Sequence, residues 1–271
     1  MRNLLNDYPL EVDESEVFRT LGYVDFANVS EPVREICREQ LRRLGEFIDP
    51  WAGSHEVRIE GTEGDSVRLE GGRTLHSARL ANILRRATSL QICLVTAGPA
   101  ITPEIERLMA AGCMVEALAL DAAASAAASA LMAELRKRIC AQATERNHGT
   151  TLRYAPGYTG WHIQDTPTLF SHLGKENLPV RLNEQLMMVP AKSLLSVIGI
   201  VPGGHSAVRE VLPCRLCDLE RCSVRQIPYR AAESPPLAKE GQGGFERACS
   251  IPLNPLLRQG SGHAFSKREL M

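Results

Sequence analysis

Apolar and polar positions along the chain change period several times. In SEPVREICREQLRRLGEFI (30–48), Val33, Ile36, Leu41 and Leu44 form a helical stripe. Ser30 is placed as an N-cap and Pro32 in the first turn. Cys37 falls beside that stripe and reads as a buried thiol. Residues 55–75 alternate instead: Val57 and Ile59 against Arg58 and Glu60, then Val67 and Leu69 after glycine turns, which predicts strands. LQICLVTAG (90–98) is a continuous apolar run closed by Gly98 and Pro99, the pattern of a buried strand. The segment ITPEIERLMAAG predicts a helix with Thr102 as cap, Pro103 at the first helical position and Gly112 as its end.

Residues 114–147 open on a pattern that fits strand or helix and continue as a long alanine-rich helix. Its small residues, among them Ala122, Ser125, Ala126 and Ser129, predict close packing in the core. TPTLFSHLGKENL predicts a short helix, and a strand is expected around 196–201. Beyond about residue 230 the chain becomes rich in proline, glycine and charge, as in extended tails.

The chain has 271 residues with 44% hydrophobic and 23% charged content, enough for a sizeable core. A net charge of −1 gives no overall electrostatic case for nucleic acid or for an anionic membrane. The acidic N-terminal stretch has neither secretory-signal nor anchor character, and no apolar stretch is read as a membrane span. A cytoplasmic protein with mostly reduced cysteines is the expectation.

Two clusters suggest chemistry. RYAPGYTGWHIQD (153–165) combines a fixed cation, turn formers and flat aromatic rings. An arginine fork grips a carboxylate. Pro156 and Gly157 turn the backbone towards a ligand, and Tyr158 and Trp161 offer faces for a ring or cation. The other reading is a surface loop with an aromatic plug into the core. His162 and His172 flank the loop and read as packing or surface residues.

The second cluster is Cys214, Cys217 and Cys222, spaced C-x2-C-x4-C, with Cys249 as a possible fourth ligand and His205 a minor candidate. Thiolates at this spacing fit Zn²⁺ or an iron–sulfur cluster, and the spacing does not choose between them. Cys93, Cys113 and Cys140 lie on apolar stretches and read as core thiols.

These residues carry a family resemblance. Arg153-Tyr-Ala-Pro156-Gly157-Tyr158, followed by Trp161 and Leu169-Phe170, resembles the R-x-x-P-G-Y loop of the activation domain of cobalamin-dependent methionine synthase and of free-standing proteins similar to it. Leu182-Asn-Glu-Gln-Leu-Met187-Met188-Val-Pro190-Ala-Lys192-Ser193 resembles the next motif of that family. VFRTLGY (17–23), TAGPAITPEIERL and ALALDAAASAAASALMAEL extend the likeness over roughly 15–225.

The resemblance implies an α+β fold, with a mixed or antiparallel sheet packed with helices, over 1–210, and a cysteine-bearing extension at 211–271. It implies S-adenosylmethionine binding, with Arg153 on the methionyl carboxylate and the backbone at Ala155, Gly157 and Tyr158 along the adenosine; Pro156 and Trp161 complete the expected site. It implies an accessory role in corrinoid-dependent methyl transfer: reductive reactivation in trans of a corrinoid protein or cobalamin-dependent methyltransferase. Cobalamin would be met only through that partner, and a flavoprotein or ferredoxin is the expected reductant. The low-potential chemistry of such systems favours [4Fe–4S] over zinc at the cysteines. The family's helix carries a glutamate where this chain offers Ser125 or Ser129, with Glu116, Asp121 and Glu134 nearby, and a tyrosine where this chain has Ile198. The alternative is an iron–sulfur or zinc protein that uses the fold for docking or electron transfer.

Overall fold

A computed structural model describes residues 10–23, 25–174 and 178–203. The cysteines at 214, 217, 222 and 249, His205, and the proposed 211–271 extension lie outside the described residues.

Helix α1 (Glu14–Thr20) is capped by the Asp13 carboxylate, which accepts from Ser15 N at 2.8 Å. Helix α2 (Glu31–Arg43) starts at Ser30 as its sequence predicts, although the Ser30 side chain makes no capping bond. Strands β1 (Trp51–Glu63), β2 (Ser66–Leu69) and β3 (Arg73–His76) form a meander, followed by helix α3 (Ala78–Leu84) and strand β4 (Ser89–Thr96). Helix α4 covers Ile101–Ala110. Its N-cap is Ala100, so Thr102 and Pro103 lie inside the first turn, not at the cap and first position. Proline is tolerated there because first-turn N–H groups have no helical acceptor.

Helix α5 (Met114–Glu145) is helical from its first residue. At 32 residues it is about 48 Å long. Strand β5 (His148–Thr150), helix α6 (Thr166–His172), the short pair β6 (Arg181–Leu182) and β7 (Met188–Val189), and strand β8 (Ser193–Pro202) complete the order.

Six strands form one antiparallel sheet in the order β3-β2-β1-β4-β8-β5. A register shift between Ile59 and Gly61 bends β1. The architecture is therefore the expected α+β arrangement, with an antiparallel sheet.

Helix α5 organises both layers. Its first half, through Ala117, Leu120, Ala123 and Ala127, packs with α1, α2 and α4. Its second half, through Leu131, Met132, Leu135 and Ile139, covers one sheet face against Ala52, Cys93 and Ile198. Ala122, Ser125, Ala126 and Ser129 are all at most 4% exposed, which confirms the close approach expected of small residues. Helices α3 and α6 and the 154–161 loop cover the opposite face. There Gly199 is obligatory: a Cβ would meet Leu84 Cδ2 at 2.6 Å and Ala87 Cβ at 2.9 Å.

One expectation needs correction. Helix α5 is long and apolar enough to cross a membrane, contrary to the reading of the sequence. In this fold 67% of its most apolar window is buried inside the protein, because a central helix wrapped by other elements is apolar all round.

Burial sets the thiols apart. Cys37 and Cys93 are fully buried, which pushes them up to about 11 and 12. Cys113 and Cys140 are only half-buried; Cys113 packs against the edge of the core, and Cys140 is not the core thiol expected.

Glu104 ties α4 to α2. It is 8% exposed and accepts from Arg107 at 2.7 and 2.8 Å and from Arg43 at 3.0 Å. Hydrogen bonds from Arg107, then from Arg43, hold its carboxyl down to about 2 against the effect of burial. A depressed carboxylate stabilises the fold above its unfolded value of about 4.3, and that contribution is lost as pH falls towards 2. Glu104→Gln is expected to lower Tm at pH 7 by about 2 °C and to flatten the decline in Tm between pH 4 and 2. Thermal melts across that range check this.

Candidate functional site

After β5 the chain continues along the free side of β8. Tyr154 N donates to Val197 O at 3.0 Å, and Val197 N donates to Tyr154 O at 2.7 Å. Val197 faces the α3/α6 side, so its partner Tyr154 does too. Side chains alternate along extended backbone, which turns Arg153 towards the α5 side. The electrostatics agree: Arg153 and Arg136 of α5 both act on the Cys93 thiol, opposing the burial that raises it.

Arg153 is 4% exposed. Its Nη2 donates to the Tyr158 hydroxyl at 3.4 Å, a long contact. Its buried Nη1 has no hydrogen-bond partner. A guanidinium is always charged and carries five N–H donors, so an unanswered buried nitrogen costs free energy that an anion would recover.

The rest of the loop is held rigidly. Gly157 at φ 88° and Gly160 at φ 79° occupy the left-handed region that glycine adopts without a Cβ penalty. Gly157 N donates to Trp161 O at 2.9 Å, and Trp161 N donates to Tyr158 O at 2.9 Å. Ser77 Oγ donates to Gly160 O at 2.6 Å, and the Tyr154 hydroxyl donates to Thr159 O.

Trp161 is drawn inward. It is 2% exposed and its ring stacks on Tyr154, with centroids 6.0 Å apart and planes 3° from parallel. Its Nε1 donates to Asp165 Oδ2 at 2.8 Å, and the same oxygen accepts from His76 N at 2.6 Å. Sequence reasoning offered Trp161 as a face for a ligand; the fold uses the ring as a core plug that fastens the loop to β3. Asp165 is the residue sequence reading passed over. Its only signal was a carboxylate four residues after a tryptophan.

Of the six expected positions, Arg153, Ala155, Pro156 and Trp161 are buried, Tyr158 is half-buried and Gly157 is exposed. Tyr158 meets Tyr154 edge to face at 5.6 Å. Beside Ala155 and Pro156 lies a cavity of about 10 Å³, room for about one water. Ile163, Thr166, Leu186, Met188 and Leu195 complete its lining.

On α5, Ser125 Oγ accepts from Lys192 Nζ at 3.0 Å, and that ammonium also meets Asp121 Oδ1 at 2.6 Å. Ser129 Oγ is buried without a hydrogen-bond partner. Ile198 is fully buried against α5. His162 is exposed and caps the short turn after it, its Nδ1 accepting from Gln164 N at 3.3 Å. His172 is half-buried, and burial, then the nearby Arg73, lowers its pKa. Among the described residues, no group of three or more His, Cys, Asp or Glu could hold a metal ion.

The sequence matches no protein-family model and no curated protein. Among solved structures, the fold is similar to that of "Crystal Structure of the MetH Reactivation Domain bound to AdoHcy", with a TM-score of 0.54. The match covers 74% of this chain and 78% of that chain at 15% identity. The two share a fold. At that identity the likeness is one of architecture: helices packed on a curled antiparallel sheet.

Proposed function

We propose that this protein binds S-adenosylmethionine or its demethylated product through Arg153, and that it serves as an accessory protein in corrinoid-dependent methyl transfer. The observation that carries the reading is the buried Nη1 of Arg153, charged and without a partner. A ligand carboxylate answers that donor. The fold likeness supports the ligand class, since the similar reactivation domain was solved with AdoHcy bound.

In this reading Arg153 fixes the amino-acid end of the ligand, and the Ala155–Tyr158 backbone lies along the nucleoside. The methyl group passes from the sulfonium to reduced cobalt on a partner protein and leaves a neutral thioether. The electron that first reduces the cobalt comes from a separate reductant, such as a flavoprotein or ferredoxin. This chain's part is positioning.

The cysteines at 214, 217, 222 and 249 add a proposed zinc or iron–sulfur site. Metal and sulfide analysis of anaerobically purified protein tests it directly.

Calorimetric titration of that protein with S-adenosylmethionine tests the main reading. Saturable one-to-one heat is the expected result, followed by methyl transfer to a cob(I)alamin-loaded partner. A flat titration with both the sulfonium and the thioether would discard the ligand assignment.

A further inference from the structure

The β6–β7 pair stands apart from the main sheet. Two residue pairs hold it, Arg181↔Val189 and Leu182↔Met188. The Asn183 side chain braces its turn: Oδ1 accepts from Gln185 N at 3.0 Å and from Met187 N at 2.8 Å. At the tip Leu186 sits at φ 61°. That left-handed region is one a bulky residue avoids, because its Cβ crowds the following carbonyl. Asparagine or glycine is the ordinary choice there. Instead the turn presents a leucine, half-buried, into the lining of the cavity beside Ala155 and Pro156. The side chain fills space along the same backbone that the proposed function assigns to the nucleoside.

We infer that the β6–β7 hairpin is the entry gate of this site and that Leu186 is its plug, displaced when the flat ring of a purine nucleoside enters beside Ala155 and Pro156. The inference rests on the proposed function for the identity of the ring, and on Leu186 alone for the gate. The left-handed backbone at Leu186 is a cost that the closed turn carries and that opening relieves. The lining suits a flat ring, since Ile163, Leu195 and Met188 are apolar. A gate closed most of the time weakens apparent affinity by the fraction open.

Two experiments on the full-length chain test this. In the first, S-adenosylhomocysteine is titrated into wild type and Leu186→Ala. Removing the plug is expected to tighten apparent binding about fivefold. Unchanged or weaker binding in Leu186→Ala, with wild type still binding, overturns the gate and leaves the proposed function standing. The second experiment needs no ligand. Amide exchange at Met187 is expected to run about a hundredfold faster than at Val197, and to slow in Leu186→Gly, where glycine adopts φ 61° without strain. A hairpin with a merely structural leucine would exchange faster once that leucine is lost. Faster exchange in Leu186→Gly therefore overturns the gate even if no ligand binds, an outcome that would separately discard the proposed function.

Discussion

Arg153→Ala is expected to weaken S-adenosylmethionine binding by about 3 kcal/mol, more than a hundredfold. The size follows from burial. Arg153 is 4% exposed, so its bond to a ligand carboxylate forms away from competing water. The stability outcome is the sharper test. A buried charge with an unanswered nitrogen contributes little to the fold and commonly costs it. Arg153→Met keeps the packing volume and removes the charge, so its Tm should equal or exceed that of wild type while binding is lost. Arg153→Lys should bind about tenfold more weakly, because an ammonium cannot present two parallel donors to one carboxylate. Calorimetry and thermal melts on the three variants decide the matter. A variant set that melts early, with affinity unchanged, would make Arg153 a structural residue.

Trp161→Ala is expected to destabilise the fold by about 3–5 kcal/mol. The ring is 2% exposed, stacked on Tyr154, and its Nε1 answers the buried Asp165. Alanine leaves a cavity at the stack and removes a donor from a carboxylate that is 8% exposed. Trp161→Phe restores the stack but not the donor, so it should recover part of the loss. Denaturant unfolding measures both. If Trp161→Ala kept wild-type stability and lost only ligand affinity, the ring would be a binding platform and its core role would be refuted.

These two residues mark how far the sequence could be read. They sit eight positions apart in one motif, and the motif's composition suited both a ligand loop and an aromatic plug. The structure makes Trp161 the plug and turns Arg153 the other way, and the ligand role of Arg153 is the proposal made above. What separates them is strand parity. The Tyr154–Val197 bridge sets Tyr154 on one sheet face and Arg153 on the other, and that pairing joins residues 43 apart in the chain.

The capping of α4 shows a similar limit at short range. Thr102 and Pro103 look like a start signal, yet the helix begins at Ile101. The helix starts two residues earlier and buries Ile101, which is fully inaccessible, and that burial outweighs a local cap.

The sequence by itself determined the elements with a strong period. The α2 stripe, the alternation around Val57 and Val67, the apolar run of β4 and the alanine-rich α5 all follow from local spacing, because 3.6- and 2-residue periods bury one face whatever the partner. Sequence also singled out Arg153 as the residue whose chemistry needs a partner. Only the tertiary structure decided which partners exist. It left Arg153 Nη1 unanswered, joined Asp165 to Trp161 and His76, held Lys192 between Asp121 and Ser125, and brought Leu186 to the same cavity as Ala155 and Pro156. Each of these depends on contacts between segments distant in the chain, or on a backbone angle imposed by a turn, and neither is written in a local pattern of residue types.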